Sequence, residues 1–518
     1  MRSVSEEAVS TEANGKVNMN VSMDSSAVSN LSRMHDGGQK PLSLASDRIL
    51  TKSRTMEYLT LDGLTKMTGV PPQSLDVYTL KELIDNALDA AELTALLPDI
   101  EVRLSRASSI LTVEVADQGR GLSPEMVHEV TNFERFGGTK YFVKKPTRGA
   151  QGNALMTIVG LVAALWREHG QTIPPPIIFS SRGYQHHVSL QIDTVLERAS
   201  VSAESVKISD SERPSDVAHS GTRIRLSLPL AYPQWGGMSR YGRVVEEFAL
   251  WNPHARFHLS SDEDAPRVFL PTVKTPKRYR QDDYGSPHWY TLEDFEKLLF
   301  ANVRALEDQG ARETTLEFAK RFKGCSSNRK AFTEALREGL PKYLTDIRSQ
   351  ETSERLFHAL LAAVSPPSAS TLGEVGEAHL KTFMQQWDVM ETLFKYKKVA
   401  GFLDGTHIPC VLEVAIGATK KLRERRVAFG INGTVTYRSP FEEDLYQPTK
   451  VSERDAPWQK VKGLRELLAA YHIRPQDPVM VTIHLLCPNI RYGDYGKSTF
   501  HTGSVKPAAF AAGSDLAH

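Results

Sequence analysis

The segment Tyr78 to Glu92, YTLKELIDNALDAAE, sets carboxylates and an amide at helical spacing. At about 100° per residue, Leu80, Leu83, Ile84, Ala87, Leu88 and Ala91 share one face. Glu82, Asp85, Asn86 and Asp89 fall opposite, with no Lys or Arg among them. Oxygen donors of this kind can hold a hard cation and orient a water for attack. An amphipathic helix with a solvated charged stripe gives the same separation, so the segment has to be weighed with its neighbours.

A second segment closes a strand. Leu111 to Ala116 alternates apolar and polar residues, then stops at Asp117-Gln118-Gly119-Arg120-Gly121-Leu122, and Ser123-Pro124-Glu125 reads as a helix start. Glycines there let the backbone approach a flat ligand, and a fixed carboxylate accepts a hydrogen bond from an amino group. A plain turn has the same composition. The third segment, Arg148-Gly149-Ala150-Gln151-Gly152-Asn153-Ala154, feeds an apolar run that ends at Trp166. A Gly-rich loop at a helix N-terminus presents N–H groups to phosphate. Last, His219-Ser220-Gly221-Thr222 places a hydroxyl at the start of an alternating strand. YGKST, around Lys497, is not a P-loop, because Arg491 stands where that pattern requires Gly.

These segments need a scaffold. A chain of 518 residues suggests roughly three domains. The first 45 positions, rich in Ser, Asn and Met, read as a disordered tail. Mixed helix and strand patterns follow over 46–270, with strands expected at Ile100–Leu104, Leu111–Val115 and Ile224–Leu228. A linker and helical region occupies 271–390, its helical spacing running from Thr291 to about Lys398. Strands return over 391–518 at Pro409–Ile416, Val427–Tyr437 and Val479–Leu485. The layout is α+β, helical, α+β.

Sixty-three Lys and Arg against 62 Asp and Glu give a net charge of +1, so bulk charge does not hold this chain to a polyanion. Local basic clusters remain the candidates: Lys274 to Arg280, Lys320 to Lys330, and Lys420 to Arg426. The three cysteines form no CxxC pair, which argues against a zinc site and for a reducing compartment. The apolar run Ala154–Trp166 is shorter than the roughly 20 residues a membrane span needs and reads as a buried helix. The implied localisation is cytoplasmic, without a membrane. Adjacent His186 and His187 should point to opposite faces of a strand, against joint metal ligation.

Taken in order, ELxDNxxDA, DxGxG, a Gly-rich loop before an apolar helix and GT before a strand resemble the GHKL (Bergerat) ATPase fold. That resemblance implies ATP and Mg²⁺ as cofactors. It makes Glu82 the general base, Asn86 the metal ligand and Asp117 the adenine anchor. Asp89, Gly119, Gly121 and Thr222 would line the nucleotide pocket, and Arg148, Gly149, Gln151, Gly152 and Asn153 the phosphate lid.

Within that superfamily, RGAQGNA is similar to the RGQQGxG lid of the B subunit of DNA topoisomerase VI, the type IIB enzyme. It departs from it at Ala154, where the family has a third Gly. ETTLEFAKRFKGCSSNRKAFTEAL is similar to that protein's helix-two-turns-helix insert. HIPCVLEVAIG, RRVAFGIN and PVMVTIHLLCPNIRYGDYGKSTF are similar to its transducer domain, of ribosomal S5-like fold. On this resemblance Lys497 is a switch lysine that reaches the γ-phosphate and acts with Glu82 in catalysis. The implied function is an ATP-dependent dimerising clamp on duplex DNA, cleaving DNA only with a separate topoisomerase VI A-type catalytic subunit. The alternative is a stand-alone GHKL ATPase that remodels protein or DNA. A topoisomerase subunit is expected to continue into a long transducer helix, whereas the sequence after Lys497 is short and rich in Gly, Ala and Ser. A histidine kinase is disfavoured by the two hundred or so residues beyond the ATPase region.

Overall fold

The computed structural model describes residues between 54 and 492. Outside the description within that range lie 95–96, 132, 134–141, 149–152, 194–197, 209–220, 231–236, 275–282, 326–329, 331–332, 335–336, 404–405, 437–444, 449–457, 462 and 491. The expected tail, Gly149, Gln151, Gly152, Lys497 and, of the basic clusters, Lys277, Arg278, Arg280 and Arg329 therefore lie outside the described residues.

The alternating strands assemble into an eight-stranded sheet: β1 (Asp99–Ala107), β2 (Ile110–Ala116), β3 (Ile177–Ser181), β4 (Tyr184–Asp193), β5 (Arg198–Lys207), β6 (Thr222–Pro229), β7 (Arg256–Ser261) and β8 (Arg267–Phe269). Their spatial order is β5-β4-β3-β6-β2-β1-β7-β8, and only β1 and β7 run parallel. The two-residue period decides what each face does. Ile100, Val102, Leu104, Leu111, Val113, Val115, Leu226 and Leu228 are buried in one core. The opposite face carries Glu101, Arg103, Glu114 and Arg223 in a charge ladder, with Arg103 Nη2 2.6 Å and Arg223 Nη2 3.2 Å from Glu101. His186 is buried and His187 half-buried on β4, as alternation requires.

Helix α1 (Leu61–Thr68) and three longer helices, α2 (Leu75–Ala91), α4 (Ala154–Glu168) and α5 (Ser239–Trp251), supply residues to that core. The short α3 (Pro124–Val130) starts where expected, with Ser123 Oγ accepting from the Met126 N–H at 3.3 Å. In α4 every residue from Met156 to Trp166 is buried. No helix among the described residues is long and apolar enough to cross a membrane. Helix α2 departs from the simple amphipathic pattern: Lys81, Glu82 and Asp85 on its polar side are buried too, so the charged stripe is not a solvated face.

The helical region comprises α6 (Leu292–Asp308), α7 (Thr315–Lys320), α8 (Gln350–Ala363) and α9 (Glu377–Gln385). Thr291, Thr314 and Ser349 cap three of these helices through their hydroxyls, satisfying N–H groups that a helix start leaves unpaired. Trp289, Phe295, Phe318, Phe322 and Leu356 form a second core together with Ile408, Val411 and Cys487 of the last region. Helical spacing does not run to Lys398, because β9 (Lys395–Phe402) begins within it. This is an edge strand, and its Lys395, Lys397 and Lys398 suit an edge that must not pair further.

The last region forms a five-stranded sheet from β9, β10 (Pro409–Ala418), β11 (Arg426–Ile431), β12 (Thr434–Val435) and β15 (Val479–Leu486), in the order β12-β11-β15-β10-β9. A separate ribbon pairs β13 (Leu445–Pro448) with β14 (Trp458–Val461), and α10 (Leu464–Ala470) follows. Leu464 and Leu468 of α10 pack with Phe429, Ile431, Val481 and Ile483. Ala415, Ala428, Val435 and Met480 belong to the first sheet's core, so the two sheets share buried apolar surface.

Candidate nucleotide site

The polar side of α2 is built from buried charge. Glu82 is 5% exposed and Asp85 3%. Carboxylates that lose water must be paired. The partner is Lys81, itself buried, with Nζ 2.5 Å from Glu82 Oε1 and 3.1 Å from Asp85 Oδ2. Sequence spacing singles out the acids and misses the lysine one position before Glu82. Asn86, half-buried on the same helix, has an Nδ2 that is buried with no hydrogen-bond partner among the described residues. A buried amide N–H left without an acceptor fits a ligand oxygen, such as that of a phosphate.

The adenine-side candidates meet at the ends of β2, β3 and β6. Asp117 donates its N–H to the Thr222 carbonyl at 2.9 Å, and its Oδ1 accepts the Gly119 N–H at 2.6 Å. Ser181 Oγ, at the end of β3, donates to the Gly221 carbonyl at 2.9 Å and accepts from the Leu122 N–H at 2.8 Å. It also lies 3.4 Å from Thr222 Oγ1. A Cβ on Gly119 would fall 2.7 Å from Asp117 Oδ1 and 2.8 Å from the Ala90 Cβ on α2. One on Gly221 would fall 2.1 Å from the Asp117 carbonyl oxygen. Gly121 has φ +72°, the left-handed region. Only glycine fits this cradle. Burial pushes the Asp117 carboxyl up to about 7, against the lowering effect of the Gly119 and Thr222 backbone contacts. Ser181 carries no sequence signal, since it ends a strand the spacing does not mark.

Arg148, at the root of the Gly-rich loop, is 1% exposed. Its guanidinium reaches Glu92 by two hydrogen bonds, at 2.5 and 2.9 Å, Asp89 Oδ1 at 3.1 Å and Asn252 Oδ1 at 2.6 Å. Burial alone would lower its pKa, but Glu92, Asp89 and Asp85 together hold it above the usual arginine value. His254 Nε2 also contacts Glu92, at 2.8 Å. Arg148 and Asp89 are therefore engaged with each other, and this cluster fixes the loop's starting point against α2. Asn153 occupies the position before α4, where its carbonyl accepts the Thr157 N–H at 2.9 Å.

The sequence model of the histidine kinase-, DNA gyrase B- and HSP90-like ATPases matches residues 75–232, which span Glu82, Asn86, Asp117, Arg148 and Thr222. Residues 75–232 are a GHKL ATPase domain. Over 211 residues the chain is 31% identical to the B subunit of type 2 DNA topoisomerase 6 from Methanosarcina barkeri, covering 40% of this chain and 31% of that protein. The namesake from Natronomonas pharaonis is 29% identical over 231 residues, 43% of this chain and 26% of that one. The one from Saccharolobus solfataricus is 25% identical over 233 residues, 42% and 41% respectively. The chain thus spans about a third of the length of the first curated relatives it matches. Among solved structures, the B subunit of DNA gyrase from Myxococcus xanthus aligns over 89% of this chain and 92% of its own, at 11% identity and a TM-score of 0.36.

The basic clusters divide once their surroundings are known. Arg426 is buried, 3.2 Å from Glu246 and 3.3 Å from Glu247, and its guanidinium lies over the Trp387 ring. Arg321 is held by Glu313 and Tyr284. These two are structural. Lys274, Lys320, Lys323, Lys330, Lys420, Lys421 and Arg423 are exposed.

Proposed function

We propose that this chain binds and hydrolyses Mg-ATP and acts as a nucleotide-gated dimerising clamp on duplex DNA, as the ATPase subunit of a type IIB topoisomerase assembly. The observation that carries this reading is the juxtaposition of buried Glu82 and the orphaned Asn86 amide on α2 with the glycine-only cradle around Asp117, within a GHKL domain. Asp117 accepts a hydrogen bond from the adenine amino group, with Thr222 beside it and Gly119 and Gly121 letting the base lie against backbone. The Asn86 amide oxygen would hold Mg²⁺, which would supply positive charge to offset the phosphates. Glu82 takes a proton from the attacking water, and Lys81 keeps that carboxylate positioned and compensated. On this reading phosphate binding falls to Gly149, Gln151, Gly152 and Asn153, and the γ-phosphate contact to Lys497.

The exposed cations of the basic clusters are candidates for phosphate contacts on DNA, each releasing counterions on binding. Strand cleavage needs a nucleophilic tyrosine with an acidic Mg²⁺ cluster, and among the described residues no group of three or more His, Cys, Asp or Glu side chains is placed to hold a metal ion. The purified chain should bind duplex DNA with salt-dependent affinity, and a non-hydrolysable ATP analogue should convert monomer to dimer in sedimentation. Alone it should neither nick nor relax a supercoiled plasmid; adding a topoisomerase VI A-type subunit should create ATP-dependent cleavage. A mass independent of nucleotide would reject the clamp. Dimerisation without cleavage in the presence of the A-type subunit would favour the stand-alone remodelling ATPase.

A further inference from the structure

The turn between β11 and β12 touches both halves of the candidate site. Asn432 and Gly433 have φ of +52° and +82°, as a two-residue hairpin turn demands. From this tip Thr434 Oγ1 donates to Asp85 Oδ2 on α2 at 2.6 Å, and Asp85 shares Lys81 with Glu82. The Gly433 carbonyl accepts from Asn252 Nδ2 at 2.8 Å, while Asn252 Oδ1 accepts from Arg148 at 2.6 Å. One arm of the tip therefore reaches the candidate base through two side chains, and the other reaches the root of the phosphate loop through one.

The tip is equally well fixed behind. Asn432 exchanges two hydrogen bonds with the Cys487 backbone, both 2.9 Å, and the Gly433 N–H donates to His484 Nε2 at 3.1 Å. The Trp251 ring, one residue before Asn252, stacks on His484 with centroids 5.1 Å apart. A Cβ on Gly430 would fall 2.7 Å from that Trp251 ring, so the hairpin and α5 are in direct contact. Cys487 directly follows β15, on the segment that leads in sequence towards Lys497. Arg148 and α2 are thus connected to β15 through hydrogen bonds of ordinary length.

We infer that the β11–β12 hairpin tip couples the nucleotide site to the second sheet, with Asn252 and Thr434 as positioning residues that connect Arg148 and Asp85 to Gly433 and β15. This rests on the ATPase reading above. Both residues act through Arg148 and Asp85, so loss of the connection should separate binding from response. Asn252→Asp keeps the acceptor towards Arg148 and removes the donor to Gly433. Thr434→Val removes the hydroxyl at constant shape, and Thr434→Ser retains it.

The test is hydrogen exchange of amides 431–435 with and without Mg-AMP-PNP, together with calorimetric affinity and steady-state ATP turnover. In the wild type the nucleotide should slow exchange at the tip by at least about fivefold, the low end of ordinary allosteric couplings. Asn252→Asp and Thr434→Val should each bind Mg-AMP-PNP within about threefold of wild type, lose that response and lower turnover by about tenfold or more. Thr434→Ser should restore both. Variants that bind nucleotide and keep the wild-type exchange response and turnover would overturn the coupling. A wild-type chain that fails to bind Mg-AMP-PNP would overturn the ATPase reading instead.

Discussion

Two sets of carboxylates in the candidate site are held in opposite ways. On α2 and at its C-terminal end, Glu82 and Asp85 share Lys81, and Asp89 and Glu92 share Arg148, so each acid has a cation within 3.1 Å. Asp117 is buried and has backbone N–H partners, with no salt bridge to another described residue. In the paired set two carboxylates share each buried cation, so every acid has a protein partner without a ligand. Asp117 is different: burial raises it to about 7, and a donor supplied by a ligand would complete its environment. One region is preassembled for charge, and the other is shaped to accept a hydrogen bond.

Removing the cation from the paired set is the most damaging way to break the contrast. Lys81→Met leaves two buried acids uncompensated and should cost about 3 kcal/mol or more of stability, read by chemical denaturation. An unchanged midpoint would mean that solvent reaches these carboxylates. On the unpaired side, Asp117→Asn should preserve folding yet lower ATP affinity by about 10- to 100-fold and abolish preference for adenine over guanine. Unchanged affinity would reduce the cradle to a turn.

The same contrast sets a pH dependence. A carboxyl raised in the folded state stabilises the nucleotide-free protein fully below its unfolded value, near 4, and that contribution is lost as pH rises through about 7. Asp117→Asn should therefore gain stability relative to wild type between about pH 4 and pH 7, by a few kcal/mol at most. ATP affinity of the wild type should rise over the same window, because the adenine amino group favours the ionised acid. Thr222→Val should give the smallest effect, about threefold in affinity, since Ser181 and the backbone keep the floor in place.

The contrast also shows what sequence could and could not disclose. The strands β1 and β2 follow from alternation, because each buries one consistent face, while β10, β15 and the helix at Ala154 follow from apolar runs that are buried on more than one face. The meander of β3, β4 and β5 and the edge strand β9 do not; β5 is largely polar and β9 continues a helical pattern into its lysines. In the candidate site, Glu82, Asn86 and Asp117 are legible because they sit within a few residues of the glycines and apolar positions that frame them. Lys81 looks like an ordinary surface lysine until both faces of α2 are covered. Ser181, Asn252 and Thr434 act on partners far away in the chain; Thr434 meets Asp85 across 349 positions, a distance no local spacing spans.

The central claim is that Glu82 performs chemistry at a site whose affinity is set elsewhere. Equilibrium Mg-ATP binding and steady-state turnover, measured side by side for wild type and Glu82→Ala, test it most directly. The account predicts turnover lowered by at least about 100-fold with affinity within a few-fold of wild type. Turnover at the wild-type rate in Glu82→Ala would contradict it.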